Sequence, residues 1–410
     1  MSHPFHHFLA ALEIESLNPM QESVLKEAPK HDQLILLSNT GSGKTIAFLF
    51  SLWQRLQPDQ KNTQALIVAP SRELVLQIES VVKKMRTGLK CTVCYGGHKR
   101  ETEEINLVEA PVVIIGTAGR LADHIRRGTI QTSGIHSLVL DEYDKLLELG
   151  FEDEMKEIVD ALPSLQFKML TSATSLHTFP EFLQFNQPFL LDHRVQGDEA
   201  TDARLEHTFF RSAEPDKIHT LVRLISFAGH KPMIVFCNHR DAVERVALLL
   251  REQGIRAVFY HGGMEQYERE SELALFRNHT SMVLVTTDLA ARGLDIPGIR
   301  YIVHYHLPDT HSTYTHRNGR TARMHDFGQA VLILSPGEKI PAFIEDEHTE
   351  LILPDELPLP ERSEWSTLHL SLGKKEKVNR IDIVGFLSQR GELKKDDLGL
   401  IEVKDHYAFA

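Results

Sequence analysis

The sequence predicts an α/β protein made of two parallel-sheet domains in tandem, with a small α+β segment at its C-terminal end. Three observations lead there. Aliphatic runs ("QLILLS", "ALIVAP", "VVIIGT", "SLVLDE", "KMLTSAT") alternate with helical patterns, and the rhythm resumes in "PMIVFC", "AVFYHG", "MVLVTTD", "YIVHYH" and "AVLILS". Near-continuous aliphatic strands between helices indicate parallel sheets covered on both faces. Between the two sets, "LDHRVQGDEATDAR" (191–204) is polar and poor in large apolar residues, which marks a boundary. A second joint, "LPDELPLPERSE" (353–364), holds three prolines and many charges. Beyond it "TLHLSL", "RIDIVGFLSQRG", "GLIEV" and "YAFA" read as strand, helix, strand, strand.

A length of 410 residues suits two or three domains better than one core. No run approaches the ~18 apolar residues of a membrane helix. The start "MSHPFHHFLAALEIE" lacks the pattern of a secretory signal, so a cytoplasmic location without membrane partners is expected. The three cysteines suit a reducing compartment. Cys91 and Cys94 form C-x-x-C within a strand-like "TVCY", leaving core packing and redox or metal chemistry as its two readings. A net charge of −12 argues against indiscriminate nucleic-acid binding. The charge is uneven, however: residues 338–364 are acidic, and 373–395 are basic.

The strongest local signal is "LILLSNTGSGKTIAFLF" (34–50), a buried strand running through a glycine-containing loop into a helix. Such a loop wraps phosphate oxygens with backbone N–H groups at the positive end of the helix. Gly41 and Gly43 allow close approach, Lys44 supplies a cation, and Thr45 offers a hydroxyl to Mg²⁺. Ser38 stands where the general pattern has its first glycine. A nucleotide site of this kind needs an acid at the end of a neighbouring strand. "HSLVL" supplies that strand, Asp141 the carboxylate for the metal, and Glu142 a group to orient or deprotonate water. Leu147, Phe151, Met155, Ile158 and Leu162 follow helical spacing and predict a helix docked on the sheet.

These elements form part of an ordered series: "LNPMQ" (17–21), "TGSGKT" (40–45), "PSREL" (70–74), "GG" (96–97), "TAGRL" (117–121), "DEYD" (141–144) and "SAT" (172–174). "IVFCN" (234–238), "HGGMEQYER" (261–269), "TTDLAARGLDIP" (286–297) and "HRNGRTAR" (316–323) follow. Across about residues 5–340 the series resembles the DEAD-box RNA helicases of superfamily 2. That resemblance implies a RecA-like ATP-binding domain at 1–195 and a second RecA-like domain at 205–352. It implies ATP and Mg²⁺ as cofactors, held by Gln21 (reading adenine), Thr40, Gly41, Ser42, Gly43, Lys44, Thr45 and Asp141, with Asp295 near the ribose. Glu142 would serve the attacking water, and Arg320 and Arg323 would reach from the second domain to the γ-phosphate. Loss of such an arginine typically costs ~10³-fold or more in rate.

RNA is the implied partner. Pro70, Arg72, Gly97, Thr117, Gly119, Arg120, Gln266, Arg269 and Thr287 fall in motifs that grip its backbone, although each arginine alone reads as surface charge. Asp144, Ser172, Thr174 and His316 would couple the ATP site to that face. The chain departs from the family pattern at Tyr143, Ala118 and Ala322, and Phe5 and Phe8 are the aromatics available upstream of Gln21. Tyr143 adds bulk beside catalytic acids and is expected to influence turnover or coupling.

Residues 365–410 resemble the start of the RRM-like RNA-binding domain of DbpA-type helicases, which implies structured ribosomal RNA as a target and a role in ribosome assembly. The resemblance reaches only the third strand, so an incomplete sheet with an exposed edge is expected. Lys374, Lys375 and Lys377 read either as RNA contacts or as solvated charge. The expected activity is RNA-stimulated ATP hydrolysis that unwinds short duplexes or remodels RNA–protein complexes, in a monomer. An ATP-gated RNA clamp or assembly scaffold with slow turnover, its chemistry impaired by Tyr143, and a DNA-directed superfamily 2 helicase are the alternatives.

Overall fold

The computed structural model describes residues 6–39, 41–97, 99–174, 179–194, 205–291, 296, 298–321, 327–354 and 357–410. Within these the chain forms two compact units, one of described residues up to 194 and the other of described residues from 205 on.

The first unit holds a seven-stranded sheet of β1 (Gln33–Leu37), β2 (Ala65–Ala69), β3 (Cys91–Cys94), β4 (Val113–Thr117), β5 (Ser137–Leu140), β6 (Phe167–Ser172) and β7 (Phe189–Asp192). The strands lie in the order β3-β4-β2-β5-β6-β1-β7, all parallel. Alternate residues of one strand point to opposite faces. Leu34 and Leu36 of β1 with Ile67 of β2 therefore enter one apolar cluster, and Ile35, Leu37, Leu66 and Val68 enter another. Burial on both faces is why these strands read as unbroken aliphatic runs.

The connecting helices take their boundaries from local chemistry. Asn18 and Gln21 form a reciprocal capping box at the start of helix Pro19–Glu27. The Ser71 hydroxyl accepts from Leu74 N to begin Arg72–Met85, whose Leu74, Val75, Ile78, Val82 and Met85 face the sheet. The single helix expected after "DEYD" is two helices, Tyr143–Glu148 and Glu152–Asp160. Gly150 between them has φ +76°, a left-handed stop that suits glycine. The apolar stripe still docks, with Met155 and Ile158 fully buried.

The second unit repeats the plan with β8 (Leu205–Arg211), β9 (Met233–Phe236), β10 (Ala257–Tyr260), β11 (Val283–Thr286), β12 (Tyr301–His304), β13 (Gly328–Leu334) and β14 (Thr349–Glu350). Their order is β10-β11-β9-β12-β13-β8-β14, again parallel. Strands β7, β8 and β14, toward one margin of each sheet, lie outside the aliphatic runs and outside the alternating "TVCY" that marks β3. Their burial explains why: β7 and β8 are only partly covered, and β14 is exposed.

A third sheet, β15 (His369–Leu370), β16 (Glu402–Val403) and β17 (Ala408–Phe409), is antiparallel in the order β15-β17-β16. Helix Arg380–Gln389 packs on it through Ile383 and Leu387, against Ile401 and Ala408. The proline-rich joint before it is strapped down at its start. Leu353 is buried in the core of the second unit, and the Arg223 guanidinium donates to the carbonyls of Leu353 and Pro354. No helix among the described residues is long and apolar enough to cross a membrane.

Ile67 sits fully buried at the middle of β2, with β4 and β5 on its two sides. Ile67→Ala leaves a cavity that neither neighbour can fill, so it should lower the stability of the first unit by ~2–5 kcal/mol. Urea unfolding followed by circular dichroism measures this as a lower midpoint.

Candidate active site and nucleic-acid face

Neighbouring strands β5, β6 and β1 end together at one edge of the first sheet, where an α/β fold binds its ligands. After β1 the chain turns through Gly41 (φ +82°) and Gly43 (φ +88°) into helix Lys44–Trp53. The φ of Gly43 suits glycine, and a Cβ there would lie 2.5 Å from Gln21 Nε2, so a side chain would displace that amide. Gln21 is buried and donates to Gly43 O at 3.2 Å, and Asn18 Nδ2 donates to Ser42 O at 2.9 Å. The capping box thus braces the loop from outside. Lys44 Nζ donates to Ser38 O (2.6 Å) and Asn39 O (2.8 Å). Ser38, standing in for the usual glycine, donates its hydroxyl to Ser42 and its N–H to Ser172 O, which ties the loop to the "SAT" strand.

Asp141 and Glu142 follow β5 directly. Thr171 of β6 bridges them, its hydroxyl donating to Asp141 Oδ1 and accepting from Glu142 N at 3.1 Å. Glu142 occupies the left-handed region (φ +49°, ψ +52°), an uncommon conformation for a residue with a side chain and one that recurs at functional sites. Burial, and then the adjacent Glu142 charge, push the Asp141 carboxyl up to about 6, against the Thr171 hydrogen bond and the Lys44 charge. Asp144 accepts from the Thr174 hydroxyl at 3.1 Å, and burial raises its pKa too, opposed mainly by Lys145. Ser172 and Thr174 are joined by two hydrogen bonds, so "DEYD" and "SAT" form one connected group. Thr171 is a residue that sequence reasoning misses, since its only signal there is its place immediately before "SAT".

The expected RNA residues of this unit gather at the ends of β2, β3 and β4. Arg72 lies over the Tyr95 ring at 4.7 Å and close to Gly97. Pro70 is buried behind it, Thr117 ends β4, and Gly119 is exposed. Arg120 pairs with Glu103 at 2.9 Å. That nearly inaccessible carboxylate also accepts from Tyr95 N (2.8 Å) and binds His124 Nε2 (2.7 Å), while His124 Nδ1 meets Thr129 Oγ1. Glu103 therefore holds both Arg120 and the aromatic base under Arg72. Cys94 lies near Glu103 and His124, but both ring nitrogens of that histidine are already engaged within the protein. Burial raises the pKa of the Cys91 and Cys94 thiols, which suits core packing.

In the second unit Arg317 is an anchor that the motifs alone do not single out. Almost wholly buried, it donates twice to Asp288 (2.6 and 2.7 Å), to His306 O and to Asn238 Oδ1. It fixes the helix His311–Asn318, which carries His316, to the ends of three strands, and buried Arg320 follows that helix. Arg269 donates to the Tyr260 hydroxyl, Gln266 donates to Glu270, and the Thr287 hydroxyl accepts from Ala290 N. Thr40, Asp295, Arg323, Ala322 and Phe5 lie outside the described residues.

Residues 18–181 match the DEAD/DEAH box helicase family, 216–325 the helicase conserved C-terminal domain, and 367–410 the DbpA RNA binding domain. The ATP-dependent RNA helicase DbpA of Escherichia coli (strain K12) is 32% identical over 412 residues, covering 96% of this chain and 88% of that protein. The chain belongs to the DEAD-box ATP-dependent RNA helicases. The DbpA of Bacillus subtilis (strain 168) is 28% identical over 100% of this chain and 92% of its own. Among solved structures, S. cerevisiae Dbp5 bound to RNA and ADP BeF3 superposes with a TM-score of 0.73 at 26% identity, covering 85% of this chain and 93% of that one.

One expectation for this helicase changes with the structure. The Tyr143 ring does not crowd the acids: it is fully buried in the apolar cluster on one face of the sheet, with Leu121, Leu146 and Met155. Phe8 likewise packs in the core, 6.1 Å from Phe50. Tyr143 fills volume, yet its hydroxyl has no hydrogen-bond partner among the described residues. A buried unsatisfied hydroxyl costs ~1–3 kcal/mol. Tyr143→Phe should therefore raise the unfolding free energy by ~1 kcal/mol or more, read as a higher midpoint in urea, and leave RNA-stimulated ATP hydrolysis unchanged.

Proposed function

We propose that the edge formed by β1, β5 and β6 binds and hydrolyses ATP to drive work on RNA, with the Thr171-bridged pair Asp141–Glu142 as the observation that carries the reading. Lys44 leaves its loop carbonyls for the outer phosphates, and the N–H groups of 41–45 wrap them. Gln21, held at the loop, reads the adenine edge, and Asp295 approaches the ribose.

The donor set suits Mg²⁺. Asp141 and the Thr45 hydroxyl are hard oxygen ligands, and a carboxyl raised to about 6 beside a second acid is one whose ionised form a cation favours. When bound, the ion neutralises phosphate charge. Glu142, turned by its left-handed backbone and fixed through Thr171, orients the attacking water and accepts its proton. Arg320 and Arg323 stabilise charge developing at the γ-phosphate. Asp144, Ser172, Thr174 and His316 carry the state of the nucleotide toward the RNA face.

RNA is gripped without sequence preference by Arg72, Arg120 and Arg269, with Pro70, Gly97, Thr117, Gly119, Gln266 and Thr287 beside them. The segment 365–410 directs the enzyme to structured RNA, ribosomal RNA being the class its resemblance suggests. The domain limits 1–195, 205–352 and 365–410, a monomeric state and a cytoplasmic location belong to the same reading. The clamp alternative loses its ground, since it rested on Tyr143 disturbing the acids.

Glu142→Gln should lower RNA-stimulated hydrolysis by ~10²-fold or more while ATP-dependent RNA binding persists. Phosphate release and filter binding measure the two. An ATPase rate that RNA leaves unchanged in the unaltered protein would sink this reading.

A further inference from the structure

The helix Gln266–Arg277 of the second unit carries two kinds of contact. Its first turns hold Gln266 and Arg269, assigned above to RNA. Along the same helix sits the C-terminal module. Glu270, one helical turn beyond Gln266, is at the junction. One of its carboxylate oxygens accepts the Gln266 side-chain amide at 2.5 Å, and the other accepts the Tyr407 hydroxyl at 2.9 Å, with Lys404 Nζ 3.6 Å away.

The contacts around Glu270 are continuous. Lys404 also pairs with Glu402 at 2.8 Å, and Glu402 receives Arg277 at 3.0 Å, so alternating charges run to the far end of the helix. Tyr267 meets Tyr407 and His369 edge-on, with ring centroids at 5.1 and 5.8 Å. Just past the helix, the hydroxyls of Thr280 and Thr367 lie 2.8 Å apart, and Ser363 Oγ donates to His279 O. The module is thereby registered on this helix at several points, and its small core of Ile383, Leu387, Ile401 and Ala408 gains a supporting surface.

A glutamine amide on the helix surface has several rotamers of similar energy, and only some present it to a bound phosphate. A carboxylate four residues on selects among them, provided the carboxylate is itself held. In this chain its holders come from another module. We propose that Glu270 is a positioning residue that joins the C-terminal module to the RNA grip: Tyr407 and Lys404 hold its carboxylate, and the carboxylate aims Gln266. This rests on the reading that Gln266 contacts RNA. The joint makes the fit of the module felt at the core of the helicase, and by linkage RNA on Gln266 steadies the module in return.

The test is a double-mutant cycle on the full chain, with poly(U) as the probe because it offers no folded target to the module. RNA-stimulated ATP hydrolysis is measured for the unaltered protein, Gln266→Ala, Tyr407→Phe and the double variant, with Glu270→Gln as a second break in the joint. Tyr407→Phe keeps the ring and removes one hydroxyl, and an unchanged melting temperature checks its fold. The expected result is a KM for poly(U) raised about fivefold, the worth of one hydrogen bond, with kcat and KM for ATP unchanged. Glu270→Gln should raise the same KM, and Tyr407→Phe should add nothing once Gln266 is alanine. If Gln266→Ala weakens poly(U) but Tyr407→Phe leaves its KM unchanged, or its effect adds in full to that of Gln266→Ala, the joint is refuted and the RNA reading stands. If Gln266→Ala itself leaves the KM unchanged, the RNA reading of that residue fails and the proposal with it.

Discussion

The hydroxyl of Thr171 reaches from β6 to the residues that follow β5, donating to the Asp141 carboxylate and accepting from Glu142 N. Asp141, buried and next to a second carboxylate, resists ionisation. Thr171 fixes Asp141 by its proton and Glu142 by its lone pair, and Glu142 itself holds a left-handed backbone. Because β1 pairs with β6 in parallel register, the same strand that supplies Thr171 also supplies Ser172, whose carbonyl receives Ser38 N at the start of the phosphate loop. Acids, loop and "SAT" therefore share one rigid edge.

The same device recurs at Arg120 and Arg317. Glu103, almost without exposure, takes Arg120 and His124 on its carboxylate together with the N–H of Tyr95, whose ring supports Arg72. Arg317 gives its donors to Asp288, Asn238 and His306 O, and so fixes the helix that leads to Arg320. In both cases a buried charge is paired and hydrogen-bonded, the condition under which burial is tolerated. The side chains at the edge are left with their conformational freedom already reduced, which would lower the entropic cost of any binding there.

Much of this is legible in the chain's own residue pattern. The aliphatic runs mark nearly every buried strand, since a strand covered on both faces must be apolar at consecutive positions. They miss β7 and β8, which are partly covered and carry alternating or mixed character. Helical spacing places Met155 and Ile158 on the sheet but cannot show the break at Gly150, because an apolar stripe continues across a short stop. Tyr143 is the instructive error. Adjacency to Glu142 in sequence suggests adjacency to the chemistry, yet successive residues leaving a strand point in different directions, and the ring goes to the core.

The sequence by itself determined the two-sheet plan, the phosphate loop and the order of acids, arginines and glycines at the strand ends. Those are local properties, set by periodicity and by the backbone freedom of a few glycines. Only the tertiary structure decided what holds them. Thr171 meets Asp141 across 30 residues, Arg120 meets Glu103 across 17, Arg317 meets Asp288 across 29, and Tyr407 reaches Glu270 across 137. Such partners are chosen by which strands lie side by side and which module docks on which helix. That choice arises when apolar faces are buried together, and it leaves no periodic trace in the chain.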